Sequence, residues 1–347
     1  MSPTVAKPRS KPHALLAYEA LFRQLLANYR HHEAIVSEYK REKAGYDGER
    51  NVDYKLSTFP QKGFYVFQGI RLENPPFHFQ IDTLILTRRL IYILEIKNQQ
   101  GTLKYDSKLK QMIQEIDGKI ISHKDPILQA EAQKTQLREW LAMHGIFNIP
   151  IVGLVVIAYP STIIENVRED PDVYNQIIHR ESLHQHLTRL SNNHPDNILT
   201  NAQLKKLCHT LKAKDIPLWT DVLAKHGVSD RHLIKGTPCQ QCGYAPIQRL
   251  NKNWKCPKCS SINPKAHERT ILDHFLLHQQ TITNKECRNL LQIDSPRMAY
   301  NFLNSMNLRK SGNNRGRIYY SPSIQSFPQN SKVPVNFQHH FAKLSLD

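Results

Sequence analysis

Charged side chains are costly inside apolar strands unless they are solvated, paired or bound to a cation, and one stretch of this 347-residue chain brings three together. Gln80-Ile81-Asp82 lies in one strand-like run and Glu95-Ile96-Lys97 in the next. Alternation along a strand puts Glu95 and Lys97 on the same face, and hairpin pairing brings Asp82 beside them. Two carboxylates with the carbonyl of Ile96 between them make a hard oxygen site suited to Mg2+ or Mn2+. Lys97 at that position can orient or activate water, or hold charge that develops on a phosphoryl group. That is chemistry for cleaving a phosphodiester. The bland alternative is an ion pair of Glu95 with Lys97 at a strand end, since strands often carry one polar face.

A second constellation is made of cysteines. Cys239-Gln-Gln-Cys242 and Cys256-Pro-Lys-Cys259 are separated by thirteen residues, so that each pair forms a knuckle and four thiolates close a tetrahedral Zn2+ site. Four thiolates leave no open position, which makes this zinc structural and distinct from the catalytic Mg2+ or Mn2+. Gly243 permits the tight turn after the first pair, and Ile247 to Lys255, with Trp254, reads as the short hairpin of a zinc ribbon. A redox role needs only one pair. Cys208 and Cys287 are left over and read as small buried hydrophobes.

The elements that must position these residues follow from periodicity. Ala14 to Ala44 reads as a leading helix, and Gly48 to Phe59 as a second one stopped by Pro60. Three strands follow at Gly63 to Ile70, Phe77 to Thr87 and Leu90 to Lys97, the last two joined by a turn at Arg88 and Arg89. Asp125 is placed to cap a helix with Pro126 at its first position, running through Gln129, Gln133, Leu137, Trp140 and Leu141. Ile151 to Tyr159 is a buried strand, and Ser182 to Leu211 is mostly helical with a turn near Asn192. Helices alternating with strands in this order predict an α/β layer fold, a mixed sheet flanked by helices.

With these residues in view, the chain resembles the nuclease-related domain family over roughly residues 45 to 160. The resemblance is carried by Gly48-Glu49, Gln80-Ile81-Asp82, Glu95-Ile96-Lys97-Asn98 with Gly101, and Asp125-Pro126 with Gln129. It implies a restriction-endonuclease-like core and Mg2+-dependent hydrolysis of DNA. It further implies Glu49 as a helix carboxylate, Asp82 and Glu95 as metal ligands, Lys97 as the catalytic lysine and Gln129 as a helix glutamine at the site, with Gln80 and Asn98 in support. Fold kinship alone does not establish catalysis. An inactive DNA-binding or regulatory protein, and a DNA-targeting module for a partner helicase, stay open beside the nuclease.

After the cysteines, Glu268 to Gln279, Thr283 to Leu291 and Ser295 to Met306 read as three helices, the second opened by a capping box of Thr283 with Glu286. Asn313 to Tyr320 reads as a turn entering a strand. Three helices with a β tip resemble a winged helix-turn-helix, with Arg297, Tyr300, Asn301, Arg309, Lys310, Arg315 and Arg317 facing DNA. A small helical interaction domain with a basic face is the alternative. Expected boundaries are a helical extension over 1–44, the nuclease-related domain over 45–212, a linker over 213–236, the ribbon over 237–262, the winged module over 266–322 and a loosely ordered tail over 323–347.

Charge supports the same partner. Of 47 Lys and Arg, 17 lie between Arg231 and Asp347, against 5 of the 30 Asp and Glu, so most of the net +17 sits in the last third. Such an excess favours polyanions, DNA first. A protein partner or self-association is compatible with it. No run approaches the ~20 apolar residues of a membrane span, and residues 1–12 hold no apolar signal core, so a cytoplasmic protein without a membrane partner is expected. The histidines, including His31-His32, His123, His144, His267, His274, His278 and His339-His340, show no convincing metal spacing with a nearby acid.

Overall fold

A computed structural model describes residues 3–333 of the chain, with the side chain of Arg315 outside the description; the expected tail beyond 333, with His339 and His340, also lies outside the described residues. The N-terminal segment opens with a strand, β1 (Thr4–Lys7), followed by helix α1 (His13–Gln24) and helix α2 (Glu33–Ser57). The single leading helix expected over 14–44 is therefore two. Leu25 leaves the helix for an extended conformation, because it is fully buried in a β-bridge with Leu233, and Arg30 Nε holds its carbonyl at 2.6 Å. Nor does Gly45 end a helix: α2 runs through Gly45 and Gly48, so the helix expected over 48–59 is its second half. A helical glycine costs only about 1 kcal/mol, less than the burial of Val52 and Leu56 farther along the same helix.

Strands β2 (Tyr65–Asn74), β3 (Phe77–Leu86) and β4 (Ile91–Lys97) form where the three runs were expected. The turn after β3 is closed by Thr87, whose Oγ1 donates to Leu90 O at 2.7 Å and accepts from the Leu90 amide at 3.0 Å. Unexpected are β5 (Thr102–Asp106), β6 (Gln111–Ile116) and β7 (Lys119–His123), which precede helix α3 (Pro126–Met143) and strand β8 (Ile151–Ile157). Then come β9 (Ile163–Asn166), α4 (Pro171–Gln176), β10 (Ile177–His179), α5 (Leu183–Asn192) and α6 (Asn201–Lys214).

The main sheet has the order β1-β2-β3-β4-β8-β10, with β2, β3 and β4 antiparallel and β1, β8 and β10 each parallel to a neighbour. One face buries Ile70, Ile81, Leu84, Ile91 and Ile93 against Leu137, Trp140 and Leu141 of α3 and Leu204 and Leu207 of α6. The other buries Ile85, Leu94 and Ile96 against Val52 and Leu56 of α2 and Leu183 and Leu187 of α5. This is the expected α/β class, a mixed sheet between helices. A smaller sheet of order β7-β6-β5-β9 packs Leu103, Tyr105 and Met112 towards Ile127, Val155 and Ile157.

The chain divides into two compact units, and the division does not follow chain order. One unit takes residues 3–9 and Ala44–Pro217; the other takes Ser10–Lys43 and residues 218–333.

In the second unit a short helix, α7 (Val222–Lys225), leads to a three-stranded sheet of β11 (Gln248–Leu250), β12 (Asn253–Lys255) and β13 (Ile262–Asn263). Then follow α8 (Ala266–Leu277), β14 (Thr281–Thr283), α9 (Asn284–Leu291), α10 (Pro296–Ser305), β15 (Lys310–Ser311) and β16 (Ile318–Tyr320), the last strands in the order β14-β16-β15. The expected capping box of Thr283 with Glu286 forms, and Ser295 Oγ accepts from the Met298 amide at the start of α10. The N-terminal helix α1 belongs here: Arg23 pairs with the fully buried Asp273 of α8, Nη2 to Oδ1 at 2.6 Å. Among the described residues, no helix is long and apolar enough to cross a membrane.

Candidate functional site

The β3–β4 pairing runs from Leu86↔Ile91 to Thr83↔Leu94 and stops, which leaves Asp82 and Glu95 as the next residues across its open end. On the other side, Gly69 (φ +73°) interrupts the β2–β3 ladder between Gln68↔Thr83 and Ile70↔Ile81, opposite Asp82. Ile81 and Leu84, three positions apart, then reach the same core face, where strict alternation would separate them. The sheet thus changes face at Asp82 and Thr83. There Asp82 Oδ2 accepts a hydrogen bond from the Ile96 amide at 2.9 Å.

Glu95 is 2% exposed, and both of its oxygens are bonded: Oε1 to Lys97 Nζ at 2.7 Å and Oε2 to Gln133 Nε2 at 2.8 Å. Lys97 also donates to Gln129 Oε1 at 3.0 Å. These contacts come from the first turns of α3, whose start is fixed by Asp125: Oδ1 accepts from the Ile127 and Leu128 amides at 2.7 and 3.1 Å, while Oδ2 accepts from the Tyr105 hydroxyl at 2.9 Å. The structure therefore brings Asp82, Glu95, Lys97 and Gln129 together. Gln133 was not singled out by sequence, although it lies one helical turn after Gln129 and that spacing was the available signal. Its Oε1 is buried without a partner, an acceptor open to a cation or water beside Glu95.

Glu49 reaches the cluster from α2, where it is bonded to Arg9 Nη1. Burial, then repulsion by Asp53 and Glu95, raises its carboxyl pKa despite the opposing pull of Arg9. Burial, followed by repulsion from Glu95 and then Glu49, holds the Asp82 carboxyl well above the usual carboxylate range. Crowded carboxylates of this kind are relieved by a divalent cation, and their oxygens are the donors that Mg2+ and Mn2+ prefer. Asp82 and Glu95 are the residues that would hold the ion. In this structure the three carboxylates are spread more widely than a closed coordination shell. Among the described residues, only the four cysteines form a group of three or more ligand atoms within 4.8 Å of one another.

Of the supporting residues, Asn98 donates to the Ala44 carbonyl at 2.8 Å, tying the end of β4 to α2, whereas Gln80 is exposed and pairs across the ladder with Arg71. Arg9 and Asp53 were not legible. A lone arginine in a Lys- and Pro-bearing N-terminal segment carries no pattern that joins it to residues 40 to 74 positions away.

The four cysteines converge: Cys239 Sγ lies 3.7 Å from Cys259 Sγ, and Cys242 Sγ 3.5 Å from Cys256 Sγ. Two similar turns build the pocket, with the Gly243 amide on Cys239 O and the Ser260 amide on Cys256 O, both at 2.9 Å; Gly243 and Ser260 are left-handed, at φ +70° and +59°. Hydrogen bonding to Ser261 lowers the Cys259 pKa to about 6. The set fits Zn2+. The expected hairpin around Trp254 is present as β11 and β12. Trp254 Nε1 donates to His267 Nδ1 at 3.2 Å, and His267 stacks on Phe302 with ring centroids 3.7 Å apart, so the cysteine module packs on α8 and α10. The Arg249 guanidinium lies over the Trp254 and Phe302 rings. Lys252, Lys255 and Lys258 are exposed. Cys208 and Cys287 are buried, as expected.

On α10, Arg297, Tyr300 and Asn301 are exposed, as are Arg309 and Lys310 at β15, while Arg317 is half-buried. The Arg309 guanidinium lies 4.2 Å from the Tyr320 ring centroid and that of Arg317 5.7 Å from Tyr300. Lys310 Nζ donates to Asn304 Oδ1 at 2.8 Å.

Residues 44–158 match the family model of the nuclease-related domain. None of the curated proteins matches the chain in sequence. Among solved structures, the chain is similar to protein VC1899 from Vibrio cholerae, with 10% identity and a TM-score of 0.24, over 52% of this chain and 51% of that one. The chain thus matches about half the length of that protein.

Proposed function

We propose that this chain, which carries a nuclease-related domain at residues 44–158, hydrolyses phosphodiester bonds in DNA with the help of Mg2+ or Mn2+. One observation carries the reading: Glu95 and Lys97 project together from β4 onto Gln129 and Gln133 of α3, with the Asp82 carboxylate on the intervening Ile96 amide. In a restriction-endonuclease-like core these are the metal-holding carboxylates and the lysine.

Asp82 and Glu95 would hold the ion, which would supply positive charge for the phosphoryl group and favour ionisation of water. The chain's own groups do the rest. Gln133 keeps Glu95 oriented through Oε2 while Oε1 stays in reach of Lys97. Gln129 holds the Lys97 ammonium at the cluster, where it orients water and neutralises charge as the phosphate is attacked. Asp82 is fixed by the Ile96 amide, so its second oxygen is free to ligate.

The second unit supplies the grip. We assign α9 and α10 with β15 and β16 to a winged helix, α10 being the recognition helix with Arg297, Tyr300 and Asn301, and the strand pair being the wing with Arg309, Lys310, Arg315 and Arg317. The cysteine module holds one structural Zn2+ and presents Lys252, Lys255 and Lys258 to phosphates.

A catalytically silent DNA-binding protein is the second reading, favoured by the pairing of Glu49 with Arg9 and of Glu95 with Lys97. Cleavage of supercoiled and linear DNA with Mg2+ or Mn2+ separates the two. The nuclease reading expects a loss of at least about a hundredfold in Asp82→Ala and Lys97→Ala, each with circular dichroism like the parent. Salt-sensitive binding without any cleavage by the parent supports the silent reading instead.

A further inference from the structure

Arg9 stands outside residues 44–158, the stretch matched by the nuclease-related domain, yet its side chain is 6% exposed and lies among the carboxylates. Its Nε and Nη2 grip Asp53 at 2.6 and 3.0 Å, Nη1 bonds Glu49, and Nη2 further donates to the Asp82 carbonyl at 2.9 Å and Thr83 Oγ1 at 3.0 Å. The guanidinium is delivered by β1, which pairs with β2 in parallel. Lys7 anchors that strand on Asp215 at 2.8 Å, and the Arg9 amide donates to Gln68 Oε1 at 2.9 Å. The guanidinium packs against the left-handed Gly69, where a Cβ would come into van der Waals contact with Nη1 at 3.4 Å.

We infer that Arg9 is the built-in cation of this site, occupying the side where Glu49 would otherwise draw a second metal ion, so that the site takes one divalent ion and not two. The inference rests on the proposed metal-binding reading of Asp82 and Glu95. Charge balance supports it: with a divalent ion bound, Glu49, Asp53, Asp82 and Glu95 are all ionised and, set against Arg9 and Lys97, leave two negative charges, the charge of one such ion. Geometry supports it as well. The planar fork is committed to Asp53 in bidentate fashion and to the backbone of the strand at Asp82, an arrangement that a mobile point charge does not reproduce. Arg9 is on this account a positioning residue, acting through Glu49 and the Asp82 main chain.

The test counts ions by Mn2+ titration, followed by the electron paramagnetic resonance of free Mn2+, using the full zinc-loaded chain. The parent is expected to bind one Mn2+, lost in Asp82→Asn; Arg9→Gln is expected to bind two, with Glu49 now available. Arg9→Lys, which keeps the charge but not the fork, should stay at one with weakened affinity. Two Mn2+ in the parent, or only one in a folded Arg9→Gln, overturns the inference. Where Arg9→Gln fails to fold, two Mn2+ in the parent still overturns the inference, as does an unchanged affinity in Arg9→Lys. No Asp82-dependent Mn2+ in the parent overturns the underlying metal reading, which is a separate failure.

Discussion

Gly48 of α2 lies directly against Asn98 at the end of β4: a Cβ placed on Gly48 would come to 2.3 Å from the Asn98 Cβ. No rotamer of Asn98 relieves that contact, because it involves the first side-chain atom. Gly48→Ala must therefore push α2 away from the sheet, carrying Glu49 with it. The expected cost is about 1–3 kcal/mol, the usual range for overpacking. Gly45 is in the same helix, but a Cβ added there would meet nothing within 4 Å, so Gly45→Ala should stabilise by roughly 0.5–1 kcal/mol through helix propensity alone. Urea unfolding of both variants checks the pair, and equal shifts would rule out the close approach.

What could be read from the sequence is what is local. Glu95 and Lys97 share a face because a strand has period two, and Asp82 joins them through a hairpin whose turn lies at Arg88 and Arg89. The cysteine pairs, the Asp125 cap and the Thr283 capping box are equally short-range. Other features depend on contacts far apart in the chain. Gly45 looked like a break, but buried residues along α2 override the local penalty of a glycine. Strands β5 to β7 escaped notice because they are short and mostly polar, turning at the left-handed Lys110 and Asp117. Arg9 enters the site through tertiary pairing of β1, which no spacing encodes.

Removing zinc should unfold the cysteine module and loosen its packing partners. Trp254 is 2% exposed and is flanked by Cys256 in sequence and by His267 and Phe302 in space. A strong chelator, or Cys256→Ser, is expected to shift Trp254 emission to the red, with one zinc released per chain; structural zinc supplies on the order of 10 kcal/mol to such modules. The shift should vanish in a Trp254→Phe background, which removes the signal of this tryptophan from those of Trp140 and Trp219. Emission that ignores the chelator would show that the module holds its fold without metal.

Stability of the second unit should decline in mild acid. Burial pushes the pKa of His13 down to about 4 and that of His267, also by burial first, to about 4. Their Nδ1 atoms accept from the Thr220 amide and Trp254 Nε1, and Nε2 of each is buried without a partner. The folded chain thus keeps both rings neutral, whereas the unfolded chain protonates them below about pH 6.5. The unfolded state binds more protons in that window, so stability is complete above about pH 6.5 and falls as pH drops towards 4. By pH 5 the loss should be up to about 2 kcal/mol per histidine. Thermal unfolding at pH 7.5, 6 and 5 measures it, and His13→Gln should flatten the slope without altering zinc content.

The DNA-facing role proposed for α10 and the strand pair predicts a specific salt signature. Each cation that neutralises a phosphate releases condensed counterions, so the affinity falls with salt by a log–log slope close to one per contact. Arg297→Ala and Arg309→Ala should each weaken binding to any duplex and lower that slope by about 1. Arg309 starts over the Tyr320 ring, a contact suited to its planar guanidinium, so Arg309→Lys should recover the slope only in part. Asn301→Ala should leave the slope unchanged while altering the preference among sequences, since an amide on a recognition helix reads base edges. Fluorescence anisotropy from 50 to 300 mM salt, with two unrelated duplexes, separates these effects. Slopes identical to the parent in both arginine variants would remove this face from the interface and leave Lys252, Lys255 and Lys258 of the cysteine module as the next surface to substitute.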